Sequence, residues 1–128
     1  MAKRENDKLS DVELLIMKGV WLAVEKYGAV RTSELIAIIN REFDCTYAYS
    51  SISTYIERLE KRGYLKKETI SNVAQLIPLV SKGEYARLLI RRDRESLFDN
   101  DRMAQLDAVM EVNKITMEEL AEHFSEKK

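Results

Sequence analysis

The sequence predicts a mainly α-helical fold with a small β-hairpin, arranged as a winged helix-turn-helix followed by a C-terminal helical region. Three observations predict it. First, the apolar residues Ile52, Ile56 and Leu59 fall on one face of a helix. That helix runs into Gly63 and then directly into two short alternating segments, which is the order helix, turn, hairpin. Second, the S/T-x-x-E capping box occurs three times, at Ser10/Glu13, Ser81/Glu84 and Thr116/Glu119, each time opening an apolar-periodic run. Third, four Gly and one Pro in 128 residues leave few helix breakers.

Each box also carries a hydrophobic staple, with Leu9 set to pack on Leu14, Val80 on Tyr85 and Ile115 on Leu120. The first helix is expected from Asp11 to about Lys26, with Leu14, Met17, Trp21 and Val24 inward and Tyr27-Gly28 ending it. A second, supporting helix begins near Thr32 or Ser33, carries Leu35, Ile36 and Ile39, and ends by Glu42. The third lies within Thr46 to Leu65, with Gly63 as its left-handed terminator. Tyr64 to Thr69 and Val73 to Leu79 read as two strands around Ile70-Ser71-Asn72, and Pro78 suits the end of an edge strand. Three more helices follow: Lys82 to about Asp93, about Asp101 to Val112, and Met117 to Phe124. The expected organisation is an N-terminal arm (1–8), a winged-helix domain (9–80) and a C-terminal helical region (81–128).

Because Ile52, Ile56 and Leu59 face inward, the opposite face of the third helix is built around Ser50, Thr54, Glu57 and Lys61, flanked by Ser51, Ser53 and Arg58. Short hydroxyl side chains near a helix's amino end let its backbone approach base edges and phosphates closely, so this face is a candidate DNA reader. Arg31, Arg58, Lys61, Arg62, Lys66 and Lys67 are candidates for phosphate contacts. Tyr55 is assigned to the core side and Tyr49 to the DNA edge. Net charge is −1, but residues 1–95 hold 17 Lys and Arg against 14 Asp and Glu, giving +3, while residues 96–128 hold 4 against 8, giving −4. A basic front and an acidic tail suit a DNA-reading half joined to a protein-binding half.

The C-terminal helices carry Leu88, Leu97, Phe98, Met103, Leu106, Val109, Met110, Ile115, Leu120 and Phe124, more apolar surface than three short helices can hide among themselves. These residues are therefore the expected homodimer interface. No apolar run approaches the ~20 residues of a membrane span, and MAKRENDKLSD lacks the apolar core of a signal peptide, so the chain is expected to be cytoplasmic and without a membrane partner. The one cysteine, Cys45, fits a reducing compartment and reads as a small hydrophobe. His123 alone makes no transition-metal site, and neither metal nor cofactor is expected. Without a glycine-rich phosphate loop, a nucleophile elbow or paired cysteines, no enzymatic activity is expected.

The segments LSDVELLIMKGVW, TSELIAIIN, YAYSSISTYIERLEKRGYL and IPLVSKGEYARLL together resemble the penicillinase-repressor family, which includes the β-lactamase, methicillin-resistance and copper-responsive repressors. The resemblance extends from Leu9 to about Leu89 and more faintly to NKITMEELAEHF. It implies a dimeric transcriptional repressor whose winged helix reads half of a palindromic operator in double-stranded DNA, with a sensor protease as a further partner. Ser51 and Thr54 match hydroxyl positions of the family's recognition helix, and Tyr49 matches a tyrosine of the copper-responsive branch. Ser50 and Ser53 stand where β-lactam-responsive members usually carry Lys or Arg. The copper branch's cysteine-rich C-terminus has no counterpart in HFSEKK, and no family cleavage sequence is recognised around Ser96 to Met110. The DNA-contact set implied is Arg31, Thr32, Tyr49, Ser50, Ser51, Ser53, Thr54, Arg58 and Lys61, with Ser71 and Asn72 of the wing. The alternative is a winged-helix adaptor that grips protein without specific DNA binding.

Overall fold

The computed structural model describes residues 8–126; the expected N-terminal arm lies outside them apart from Lys8. The helices are α1 (Asp11–Tyr27), α2 (Thr32–Glu42), α3 (Tyr49–Lys61), α4 (Lys82–Leu97), α5 (Arg102–Asn113) and α6 (Met117–Glu126), and the strands are β1 (Leu65–Ile70) and β2 (Val73–Pro78). The chain forms two compact units, the first ending at Ala86 and the second starting at Arg87, within α4.

All three capping boxes form. The Ser10, Ser81 and Thr116 hydroxyls accept the N–H of the glutamate three residues on, and each glutamate accepts the cap residue's own N–H, at 2.9–3.2 Å. Helix α1 stops where expected, with Gly28 at φ 80°, a left-handed conformation that a side chain would oppose. Gly63 ends α3 the same way, also at φ 80°.

The first unit packs α1, α2 and α3 against one another and against the hairpin. Its core holds Ile16, Met17 and Val20 from α1, Leu35 and Ile39 from α2, and Ile52, Ile56 and Leu59 from α3, all buried. Each such side chain contributes roughly 1.5–3 kcal/mol on leaving water. The expected phase of α1 is off by about one position. Its buried residues are Glu13, Ile16, Met17, Gly19, Val20 and Ala23, while Leu14, Trp21 and Val24 are half-buried. The cause is close helix packing: a Cβ on Gly19 would stand 2.9 Å from both Ile39 Cγ1 and Leu35 Cδ1, so the smallest residues face α2. In α2 the buried third residue is likewise Ile38, with Ile36 half-buried.

The hairpin pairs Leu65 with Pro78 through Ile70 with Val73, antiparallel. Ile70 is therefore a strand residue, and the turn is only Ser71-Asn72, with φ 54° and 65°. Positive φ at both central residues is the mark of a type I′ turn, whose twist matches that of the strands. The Leu76 N–H donates to the Val30 carbonyl at 2.9 Å, which ties β2 to the loop between α1 and α2, and the Leu79 N–H donates to that of Tyr64 at 2.8 Å, which extends the hairpin at its base. Around the start of α4, buried Tyr64 meets Tyr85 edge-on at 6.1 Å, and the Tyr85 hydroxyl accepts the Leu9 N–H. Half-buried Trp21 donates its indole N–H to the Val80 carbonyl at 2.9 Å.

In the second unit α4 runs four residues beyond the expected Asp93. It ends where Asp99 and Asn100 turn left-handed and the Asn100 N–H reaches the Arg94 carbonyl. The Asp101 carboxylate caps α5, and Lys114, at φ 55°, closes it. Neither α5 nor α6 has a buried residue. Among the described residues no helix is long and apolar enough to cross a membrane, and no group of three or more His, Cys, Asp or Glu side chains is placed to hold a metal ion.

Candidate nucleic-acid interface

Helix α3 is aimed by the residues around its two ends. At its start, Asn40 of α2 clamps Tyr47: the Tyr47 N–H donates to Asn40 Oδ1 at 3.0 Å and Asn40 Nδ2 donates to the Tyr47 carbonyl at 3.4 Å. This pair sets the turn between α2 and α3. At the other end, Arg62 Nη1 donates to Glu13 Oε1 at 2.7 Å and Nη2 to the Lys8 carbonyl at 3.0 Å, while the guanidinium lies over the Tyr64 ring. Glu13 is 3% exposed, and its other oxygen, Oε2, is buried with no hydrogen-bond partner among the described residues. Burial pushes the Glu13 carboxyl up, but the Ser10 N–H and the Arg62 guanidinium outweigh it and hold the group below the usual carboxylate value.

Neither anchor was evident from sequence. Glu13 read only as a capping residue, and its partner lies 49 positions away. Arg62, a candidate phosphate contact, is part-buried and bonded to Glu13 and to the Lys8 carbonyl. Lys66 pairs with Glu68 at 2.9 Å and Lys67 with Glu60 at 3.7 Å, so these two cations are partly engaged on the wing.

Between the anchors α3 shows the expected outward face. Tyr49, Ser50, Ser51, Thr54, Arg58 and Lys61 are exposed and Ser53 is half-buried. Tyr55 is half-buried, with the Arg58 guanidinium 4.9 Å above its ring. The N-cap residue of α3 is Ala48, which supplies no side-chain cap, and the first turn holds no acidic residue. The first N–H groups of the helix thus keep their capacity for an external acceptor, and the helix dipole favours an anion there. Thr54 Oγ1 donates to the Ser50 carbonyl at 3.0 Å, which spends its proton within the helix and leaves an acceptor oxygen and a methyl group facing out.

Elsewhere, Ser71 and Asn72 stand exposed at the wing tip. Thr32 opens α2, half-buried. Arg31 precedes it, its side chain 3.2 Å from Glu34, whose carboxylate also accepts the Arg31 N–H. Cys45 is half-buried, its thiol donating to the Phe43 carbonyl.

Of the ten apolar residues assigned to an interface, Leu97, Met103, Leu106, Val109 and Phe124 are exposed, and Phe98, Met110, Ile115 and Leu120 are half-buried. Leu88 is buried within the single chain and so presents no surface to a second one. Ile90, Val112 and Met117, outside that set, are each more than half exposed.

No curated protein matches the chain. Among solved structures, the chain is similar to the monomeric form of Bacillus licheniformis BlaI in complex with the blaP half-operator. The two share 27% sequence identity with a TM-score of 0.50, over 66% of this chain and 94% of that one. The family model described as penicillinase repressor matches residues 9–123, which takes in the helix-turn-helix, the hairpin and the three C-terminal helices alike. The family model thus spans nearly the whole length, and the chain belongs to the penicillinase repressor family.

Proposed function

We propose that this protein is a transcriptional repressor that binds double-stranded DNA as a homodimer, each winged helix taking one half of a palindromic operator. One observation carries the reading: the uncapped, hydroxyl-lined and basic face of α3 stands open beside a type I′ wing, in a chain similar to a repressor solved on its half-operator. In this reading Ser50, Ser51, Ser53 and Thr54 meet base edges and nearby phosphates, with Tyr49 at the rim. Arg31, Thr32, Arg58 and Lys61, with Ser71 and Asn72 of the wing, hold the sugar-phosphate backbone.

The apolar faces of α5 and α6 and the end of α4 support the second half of the proposal. A run of exposed residues such as Leu97, Met103, Val112 and Phe124 favours a partner surface over water. Dimer symmetry then places two half-sites about one helical turn, or a multiple of it, apart. Binding a promoter in this way would block access to it.

The test is a polarisation titration with duplexes selected from a random pool, together with sedimentation of the free and bound protein. Two chains per duplex and an inverted repeat in the selected sequence are expected. Absence of binding even at low salt would leave the protein-gripping adaptor as the better account.

A further inference from the structure

The reading face of α3 carries one acidic residue at its centre, and this is where its chemistry is most distinctive. Glu57 lies one turn beyond Thr54 and four residues before Lys61, is exposed, and makes no ion pair or side-chain hydrogen bond among the described residues. A carboxylate facing DNA is repelled by phosphates and accepts hydrogen bonds without donating any. Thr54, with its proton given to the Ser50 carbonyl, also offers an acceptor outward. Two successive positions of the face thus present acceptors, and the cations Arg58 and Lys61 lie toward its carboxyl end.

We infer that Glu57 is a specificity-determining residue that makes this protein select a base with an exocyclic amino group at one position of its half-site. The inference rests on the proposed DNA reading by α3. In the major groove cytosine shows an amino donor at N4 and adenine one at N6 beside the N7 acceptor, whereas guanine and thymine show O6 or O4. An amino donor compensates the desolvated carboxylate. A keto oxygen leaves it unpaired and repelled, so rejection of guanine and thymine is as much a part of the selection as acceptance. Cytosine is favoured over adenine, because adenine N7 would face the second carboxylate oxygen.

The experiment is selection of duplexes from a random pool by the full chain and by its Glu57→Gln and Glu57→Ala variants, followed by titration of single-base replacements at fixed salt. Glu57 is exposed, so both variants are expected to fold, and far-UV circular dichroism verifies this. The wild type should prefer cytosine over guanine or thymine at one position by about tenfold or more. Glu57→Gln should move that preference to adenine, whose N6 and N7 an amide pairs with together. Glu57→Ala should flatten it, mainly by tightening binding to the guanine and thymine duplexes. Identical base profiles for the three proteins, differing only by a uniform change in affinity, would overturn this inference and leave DNA reading by α3 standing. No binding by any of the three at low salt would overturn both.

Discussion

Replacing Arg62 by Met removes the ion pair that binds the start of α1 to the end of α3, together with the hydrogen bond to the Lys8 carbonyl. The Arg62 and Glu13 side chains are 20% and 4% exposed and meet at 2.7 Å. Removing one partner of a buried pair costs about 3–5 kcal/mol, because the remaining charge is left without compensation. Glu13 keeps the Ser10 N–H, and Arg62 is partly hydrated, so a loss at or below the bottom of that range, about 2–3 kcal/mol, is expected here. Glu13→Gln should cost about 1 kcal/mol, and the double variant should be more stable than the two single losses added together, by about 2 kcal/mol.

The loss also has a pH signature. In the wild type the lowered Glu13 value contributes stability that is fully present above the unfolded carboxylate pKa of about 4.3 and is lost as pH falls through the folded value. In Arg62→Met burial is no longer opposed by the guanidinium, so Glu13 takes a proton at higher pH and the variant regains stability on acidification. The gap between the two proteins should therefore narrow steadily from pH 7 toward pH 4. Urea unfolding followed by circular dichroism across that range measures it. A gap below about 0.5 kcal/mol, of the size of an exposed pair, or one constant with pH would refute this account of the anchor.

Gly19→Ala should destabilise the protein by about 1 kcal/mol, since crowding against Leu35 and Ile39 outweighs the gain in helix propensity; a rise in melting temperature would mean that the contact relaxes freely. Lys61→Ala should weaken binding to all DNA sequences alike and reduce the slope of log affinity against log salt by about 0.9, as read by polarisation titrations at several salt concentrations. Leu106→Asp, which places a charge on the exposed apolar face of α5, should shift sedimentation from dimer to monomer with little change in helix content; an unaltered dimer would move the interface elsewhere.

What the sequence disclosed was governed by distance along the chain. The capping boxes, the glycine terminators and the inward stripe of α3 are local devices of a few residues, and each forms as the spacing implied. The phase of α1 differs because the large side chains of Trp21 and Leu14 carry more apolar area than Gly19 and Ala23, yet close approach of α2 selects the small ones. The left-handed pair Asp99-Asn100 ends α4 without a glycine, so the residue types alone do not mark the stop. At the candidate site, the outward face was legible because helical period alone defines it. The Asn40 clamp, the burial of Glu13 and its pairing with Arg62 were not, since each depends on a partner that only the folded chain brings near. Thr54's internal hydrogen bond changes its role from donor to acceptor, and Thr54 as a residue type does not reveal that.

The most direct measurement for the central claim is an amide chemical-shift map of the labelled protein as selected duplex is added. Insertion of α3 into the major groove predicts the largest changes at Ser50, Ser51 and Thr54, with a second group at Ser71 and Asn72 of the wing tip. Changes confined to α5 and α6, with these amides unmoved while the duplex is bound, would contradict it.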